Sequence, residues 1–405
     1  MNSTRRRNFF LILMLGALNA ISPFSIDMYL PAFPEIAKDF GTTEAIISLS
    51  VSSYFIGLAF GNVFYGPLLD RFGRKPPLYA GMLIYLLACI GCMMSYNAES
   101  LVAFRFIQAI GGCVAGISAM AMVRDFFPAG DAAKVFSLMM LILGVSPLFA
   151  PTVGSFIAVH LGWEWVFATL AGIAVLIIAA VFLFLPEGHH PDPTISLKPL
   201  PILKLFGEIL SIPHFTLYAL AGAFGFAGIL AYVAGAPIIF MNIYGLSATT
   251  FGLVFAGLSI GFIGGNQINI LLLKKFTSTQ IFHTALKVQS LISLIFLAGT
   301  VAGIYGLYST LILLFAYICA MSLILPNTAA LALEFFKRTI GSASALMGTM
   351  QIGIAAVASS VIGIVGAQTM TPIIAIMAVS SWIGLAVLML GHKHLDDHPP
   401  VLDHL

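Results

Sequence analysis

The pattern of apolar and polar positions divides this chain into long apolar runs separated by short polar loops. Runs of about 20 residues, the length with which a helix crosses a bilayer, recur along the whole chain. The short alternating strands of a membrane barrel are not seen. The pattern therefore predicts an all-α membrane protein with twelve transmembrane helices. The predicted spans are 9–31, 45–69, 78–96, 101–123, 134–160, 163–185, 214–241, 248–273, 281–303, 308–334, 341–366 and 372–391.

One polar break, Pro186–Pro213, is longer than the others and leaves six runs on each side. It predicts an N-terminal six-helix bundle (1–185), a linker (186–213), a C-terminal six-helix bundle (214–391) and a tail (392–405). Within the linker, apolar residues spaced three and four apart predict a short helix on the membrane surface. Its predicted apolar face consists of Ile202, Leu205, Phe206, Ile209 and Ile212.

Composition and charge agree with a membrane protein. The chain is 60% hydrophobic and only 8% charged, too few charges to cover the surface of a soluble protein. If both termini and the linker lie in the cytoplasm, every Lys and Arg except Lys38, Arg105 and Lys287 falls in a cytoplasmic segment. This asymmetry predicts cytoplasmic termini, and we expect a monomer in the cell inner membrane with no nucleic-acid partner. The four cysteines lie inside apolar runs and are interpreted as packing residues.

A charged stretch between the second and third runs carries the clearest motif. It reads Gly66-Pro-Leu-Leu-Asp70-Arg71-Phe-Gly73-Arg74-Lys75 and predicts a tight loop at the membrane surface. The string resembles the loop signature of the major facilitator superfamily, G-x-L-x-D-R-x-G-R-[RK], at every specified position. The resemblance implies a major facilitator fold with two pseudo-symmetric six-helix bundles.

The same resemblance implies that the loop acts as a conformational latch. Its expected members are Gly66, Asp70, Arg71, Gly73, Arg74, Arg124 and Asp125. Gly66 would allow helix 2 to approach a neighbour closely, and Asp70 would face the N-terminus of helix 11 near Thr339–Ser342. A carboxylate is stabilised at a helix N-terminus, so this contact would favour the state that is closed on the cytoplasmic side.

Asp27 is the one acidic residue that the predicted spans place well inside a helix. An ionisable group there is costly and usually faces a cavity or the bundle interior, although Asp27 could also lie at the headgroups where the span ends. The surrounding string, Asp27-Met-Tyr-Leu-Pro-Ala-Phe-Pro34, resembles the D-M-Y-L-P-A-x-P of the bicyclomycin-resistance (Bcr/CflA-type) branch of drug:proton antiporters. Asp27 is therefore expected to carry the exchanged proton.

Helices 4 and 5 carry further motifs of this branch. Arg105-Phe-Ile-Gln108-Ala-Ile-Gly111 resembles the antiporter string R-x-x-Q-G-x-G, with Ala109 in place of the first Gly. The resemblance implies a proton-coupling or cavity role for Arg105, and outward snorkelling is the alternative. Helix 5 resembles its antiporter signature in part, and four residues are expected to permit bending and close crossing: Gly144, Pro147, Pro151 and Gly154.

Uncharged polar residues inside the spans either line a substrate cavity or tie helices together. The candidates for the cavity are Asn19, Tyr54, Gln108, Tyr232, Gln267, Asn327 and Gln351.

The sequence thus predicts a secondary transporter that exports drugs or other small amphipathic molecules in exchange for protons. A proton-coupled uptake symporter and an exporter of metabolites or siderophores would use Asp27 and Arg105 equally well. An enzyme is disfavoured, because the chain lacks the nucleotide-binding Gly-x-x-x-x-Gly-Lys-[Ser/Thr] and the zinc-binding His-Glu-x-x-His. We expect no cofactor and no metal.

Overall fold

The computed structural model describes residues 3–127, 129–188, 191–192, 199–336 and 339–397. Fourteen α-helices form in these ranges, and twelve stretches are long and apolar enough to cross a membrane, which confirms the predicted number of spans. The helices are α1 (Ser3–Asp27), α2 (Phe33–Asp39), α3 (Glu44–Phe72), α4 (Lys75–Met93), α5 (Ala98–Phe126), α6 (Ala129–Leu161), α7 (Glu164–Phe184), α8 (Pro199–Leu210), α9 (Pro213–Pro237), α10 (Ala248–Leu272), α11 (Ser278–Val301), α12 (Leu307–Ala332), α13 (Ile340–Val365) and α14 (Met370–Asp397).

The first span is broken. The helix α1 ends at Asp27, a 3₁₀ turn follows at Leu30–Ala32, and α2 then begins at Phe33. Pro31 and Pro34 lie at the first turns of these two segments, where a missing N–H group costs little but where a continuous helix would lose hydrogen bonds. The sequence predicted one uninterrupted span to residue 31 and missed this break.

The charged stretch after the second span is mostly helical, not a loop as predicted. The helix α3 continues to Phe72 and α4 begins at Lys75, so only Gly73 and Arg74 lie between them. Gly73 has a φ of 83°, a left-handed conformation that glycine adopts at little cost. Asp70 and Arg71 therefore belong to the last turn of α3.

The chain forms two compact units, described separately here. One contains Met1–Thr42, Phe60–Leu197 and Ser247–Ala256, and the other contains Thr43–Ala59, Lys198–Leu246 and Gly257–Leu405. In the first unit, α1 packs against α5, α6 and α7, and α4 packs against α5 and α7. A Cβ at Gly111 of α5 would overlap the backbone nitrogen of Tyr85 in α4, so glycine is what allows these two helices to approach so closely.

In the second unit, α9 lies at the centre and packs against α12, α13 and α14. A Cβ at Gly222 would overlap Thr328 of α12, and one at Gly228 would overlap the hydroxyl of Tyr317. The buried Gln289 of α11 donates through Nε2 to the Gly225 carbonyl of α9 at 2.9 Å. Small residues and buried hydrogen bonds thus hold α9 in place, as is common between membrane helices.

The linker helix α8 forms as predicted, but the surroundings of its predicted apolar face differ from those expected. Ile209 is buried in the hydrophobic core of the second unit, and Leu205, Phe206 and Ile212 pack against that core. The predicted apolar face therefore packs against the bundle helices and not against lipid. The position of the helix itself at the membrane surface stays a prediction. The Ile202 side chain and residues 189–190, 193–198 and 398–405 lie outside the described part of the linker and tail.

Candidate functional site

Asp27 lies at the C-terminal end of α1, and its side chain is 6% exposed. The helix α6 packs against both α1 and the 3₁₀ turn that follows it. At this crossing Gly154 of α6 faces Met28, and a Cβ at Gly154 would overlap the Met28 carbonyl group. The break after Asp27 is therefore held in place by direct backbone contact with α6.

Arg105 of α5 is fully buried, with 0% of its surface exposed. Its guanidinium carbon lies 4.8 Å from the centre of the Tyr29 ring and 5.8 Å from that of Phe167. Its Nη1 also donates to Oε1 of Gln108, one turn further along α5. A desolvated cation over an aromatic face gains about 2 kcal/mol, so these rings help to compensate for burial of the charge. Arg105 thus points into the bundle and does not snorkel.

Tyr29 links the chain just after the break in the first span to Arg105 of α5. It stands two residues after Asp27 in the chain, and its ring lies against the Arg105 guanidinium. Two further hydrogen bonds tie α4 to this layer: Ser25 and Tyr85 share a hydroxyl contact of 2.6 Å, and Gln108 Nε2 donates to Cys89 Sγ at 3.0 Å. One buried polar layer among α1, α4 and α5 therefore contains Arg105, Tyr29, Gln108, Ser25 and Tyr85. Asp27 is buried on α1 two residues from Ser25 and from Tyr29, and no ion pair joins it to Arg105 among the described residues.

Asn19 lies eight residues before Asp27 on α1 and is 8% exposed. Its amide nitrogen is buried and has no hydrogen-bond partner among the described residues. A Cβ at Gly116 of α5 would lie 3.6 Å from its Oδ1 atom, so α5 leaves little room on that side. A buried unsatisfied N–H donor is costly, so this amide is a ready partner for a bound molecule or water.

The other uncharged candidates lie in the second unit. Tyr54 and Tyr232 are buried on α3 and α9. Asn327 donates to Oδ1 of Asn269 at 2.7 Å, which ties α12 to α10. Gln351 is half-buried, and Gln267 is exposed on the same side of α10 as the exposed Leu271. The structure thus brings Gln108 into contact with Arg105 and leaves Asn19 on the same helix as Asp27, in the first unit.

The helix-5 residues form one continuous helix, α6, despite its two prolines. Gly144 and Pro151 are buried, and Pro147 is half-buried. Gly252 of α10 lies in the same unit, and its Cβ would be 3.2 Å from the Pro151 carbonyl oxygen. The proline-rich part of α6 therefore packs backbone-to-backbone against its neighbours, which agrees with the close crossing expected there.

Arg74 is the centre of a charge cluster at the α3–α4 junction. Its Nη1 donates to Oδ1 of Asp70 at 2.7 Å, and its Nε donates to Oδ2 of Asp125 at 2.8 Å. Burial alone would lower the pKa of Arg74, but the hydrogen bonds and charges of Asp125 and Asp70 outweigh that effect and raise it. The cluster therefore keeps a charged guanidinium between the ends of α3 and α5.

Glu187, just after α7, completes this cluster. Its Oε1 accepts hydrogen bonds from the backbone N–H groups of Arg74 at 2.6 Å and Lys75 at 3.3 Å. Pro76 and Pro77 have no N–H group, so Arg74 and Lys75 supply most of the free N–H donors at the beginning of α4. Glu187 thus caps α4 and fixes the beginning of the linker to the signature motif.

Three expected latch residues have other surroundings. A Cβ at Gly66 would meet no atom within 4 Å among the described residues, so the expected close approach at this position is not seen. Arg124 is exposed and forms no ion pair within the described part of the chain. Arg71 lies 5.8 Å over the ring of Phe72.

The sequence interpretation missed Tyr29, Phe167 and Glu187. Tyr29 lies within the motif around Asp27, and an aromatic ring beside a buried arginine could have been considered as a cation–π partner. Glu187 could have been proposed from the proline pair, which leaves a helix start short of N–H groups and open to an acceptor. Phe167 gave no comparable signal, because it is one of several aromatic residues in a uniformly apolar run.

Comparison with known proteins supports these observations. The sequence profile of the Major Facilitator Superfamily matches residues 15–360. An uncharacterized MFS-type transporter, YdgK, of Bacillus subtilis is 32% identical over 95% of both chains. A bicyclomycin resistance protein homolog of Haemophilus influenzae is 29% identical, over 91% of this chain and 93% of the relative.

Multidrug resistance protein MdtL of Shewanella oneidensis is 27% identical over 91% of this chain and 92% of the relative. Among solved structures, a D-xylose-proton symporter superimposes with a TM-score of 0.73 at 18% identity, over 97% of this chain and 98% of the symporter. This likeness shows the fold alone.

Proposed function

The chain belongs to the Major Facilitator Superfamily and is a multi-pass membrane transporter, and from this premise we propose that it exports drugs or other small amphipathic molecules in exchange for protons. The observation that carries the proposal is the burial of two ionisable side chains in the first unit, Asp27 of α1 and Arg105 of α5. Relatives named for bicyclomycin and multidrug resistance support export of drugs over uptake of nutrients.

The proposed coupling needs only one titratable group. When the transporter is open to the outside, Asp27 takes up a proton, and when it is open to the cytoplasm, Asp27 releases that proton. A cationic or polar substrate binds best to the deprotonated carboxylate, so each ligand lowers the affinity for the other. Protonation outside then expels the substrate, and the two fluxes become linked in opposite directions.

The neighbouring side chains have supporting roles in this scheme. Arg105 is a buried cation on α5, a helix that packs against α1, and Tyr29 and Gln108 hold its guanidinium in place. The unpaired amide of Asn19 donates a hydrogen bond to the substrate. The remaining candidates for cavity lining are Tyr54, Tyr232, Gln267, Asn327 and Gln351. These residues contact the substrate only if both proposed bundles, 1–185 and 214–391, face it.

The Arg74 cluster has the proposed role of a latch. Asp125 and Glu187 hold Arg74 in place through hydrogen bonds. The half-exposed Asp70 is then able to contact the N-terminus of α13 when the cytoplasmic side closes. The basic-residue asymmetry supports cytoplasmic termini in the cell inner membrane, and a monomer is sufficient for the whole scheme.

Transport assays in proteoliposomes test the proposal. Purified protein in proteoliposomes, given an imposed pH gradient and a panel of cationic and neutral drugs, is expected to move at least one drug in the direction opposite to the proton. Asp27→Asn is expected to lose this pH-driven transport, and Asp27→Glu to keep part of it. The exposed Glu99 provides the control variant Glu99→Gln, which should transport normally. Movement of substrate in the same direction as the proton would instead identify a symporter.

A further inference from the structure

The linker helix α8 directly precedes a membrane-spanning helix. It ends at Leu210, and α9, a membrane-spanning helix, begins at Pro213. The two residues between them reach at most about 7 Å when extended. One end of α8 is therefore fixed close to the beginning of this span.

One face of α8 is already used. Ile209 is 2% exposed and belongs to the core of the second unit, together with Phe215 and Tyr218 of α9. Leu205, Phe206 and Ile212 pack against the same core. At 100° per residue Leu205, Phe206 and Ile209 share one side of the helix, and Ile212 follows its end.

A second apolar face of α8 is uncovered. Leu200 is 77% exposed, Leu203 is 60% exposed and Leu210 is 40% exposed. Their spacings of three and seven residues place them on one side of the helix, about 140° away from the packed face. Gly207 lies between them, and nothing within 4 Å would meet a Cβ there. A soluble segment does not gain from a row of exposed leucines.

A polar strip separates the two apolar faces on the remaining side. Lys204 and Glu208 are exposed there, and Ser211 lies beside them. The helix is thus divided three ways, into a side against the bundle, a polar side and an uncovered apolar side. A helix that lies at the edge of a bundle, half in the headgroup region, meets these three environments: protein, water and lipid.

We propose that Leu200, Leu203 and Leu210 insert into the cytoplasmic leaflet of the bilayer and make α8 an interfacial anchor. The bilayer is the occupant that the structure favours, because α8 is joined by two residues to a membrane span and carries the headgroup chemistry it needs. Lys204 is adjacent to the leucine face, where its ammonium group reaches lipid phosphates while its methylene stem stays with the leucines. The proposal does not depend on which substrate is transported.

Spin labels attached at single positions of the full-length protein test this arrangement. Variants with one cysteine each at positions 203, 210, 204 and 208 are made in a background in which Cys89, Cys92, Cys113 and Cys319 are replaced. Accessibility to oxygen, which concentrates in lipid, and to a water-soluble nickel chelate is measured in proteoliposomes. Positions 203 and 210 are expected to favour oxygen by several fold, and positions 204 and 208 to favour nickel.

The labels also distinguish other occupants. Equal nickel accessibility at 203 and 208 would overturn the proposal in favour of a solvated face. Labels at 203 and 210 that are immobile and shielded from both reagents would overturn it in favour of a protein partner or a second copy of this chain.

A second measurement uses the unmodified protein and does not depend on replacing cysteines. Vesicles of phosphatidylglycerol and phosphatidylethanolamine contain a lipid with a photoactivatable diazirine in its acyl chain. Mass spectrometry is expected to find label on Leu200 or Leu203. Label on the transmembrane helices with none on α8 would contradict the anchor.

Discussion

Replacing Gly154 with alanine is expected to disturb the proton site without changing any of its ionisable groups. The new Cβ would overlap the carbonyl oxygen, carbonyl carbon and Cα of Met28, next to Asp27. All three atoms belong to the backbone, so no side-chain rotation relieves the overlap. Either α6 moves away or the break after Asp27 shifts.

The magnitude follows from two opposing effects. Overpacking by a methyl group in a close-packed interface costs about 1–3 kcal/mol, while Gly→Ala inside a helix gains roughly 0.5–1 kcal/mol. The net loss is therefore about 1–2 kcal/mol, which corresponds to a factor of about 5–30 in an equilibrium. Proton-driven efflux by Gly154→Ala is expected to fall by a factor in this range.

Gly172→Ala in α7 is the matched control, because a Cβ at Gly172 meets nothing within 4 Å. Both variants are compared at equal protein amounts in proteoliposomes under a pH gradient, and their thermal unfolding is followed in parallel. Gly172→Ala should transport normally with equal or higher stability. Unchanged efflux and unchanged unfolding temperature in Gly154→Ala would refute the close crossing of α6 and the first span.

Three further substitutions test the charge cluster and the polar contacts. Asp70→Asn should weaken the link to Arg74 and slow efflux while membrane abundance stays normal; wild-type rates would argue against a latch. Glu187→Gln should weaken the α4 cap by about 1 kcal/mol and make the linker more sensitive to limited proteolysis, and an unchanged digestion pattern would contradict the cap. Asn327→Leu should lower the stability by only about 0.6 kcal/mol, the average for hydrogen bonds between membrane helices, and should leave transport intact. Lost transport in stable protein would show that Asn327 contacts substrate and does more than tie α12 to Asn269.

The number of spans could be predicted from sequence because the bilayer itself sets their length and polarity. Helix ends were harder to predict. The extension of α3 to Phe72 and the break after Asp27 depend on where glycine and proline redirect the chain, which hydropathy does not register. The span pattern also drew attention to Asp27 and Arg105, both of which are buried, since a charge in an apolar run is conspicuous.

The partners of these residues could not be predicted in the same way. Which side chain covers Arg105 depends on how α1 and α5 are rotated about their axes, and a uniformly apolar run gives little information on rotation. The same limit applies to Asn327 and Asn269, which lie far apart in the chain. For α8 the sequence indicated an apolar face, but only the packing of Ile209 shows which side the bundle covers.

The central claim, that Asp27 carries the exchanged proton, is tested most directly by proton release from purified protein. Unbuffered wild-type transporter in detergent, first equilibrated at a pH where it is protonated, is mixed with a transported drug while a pH indicator is followed. The wild type is expected to release protons in proportion to the drug bound, and Asp27→Asn to release none. Proton release by Asp27→Asn that equals the wild-type amount would contradict the account and place the proton site elsewhere.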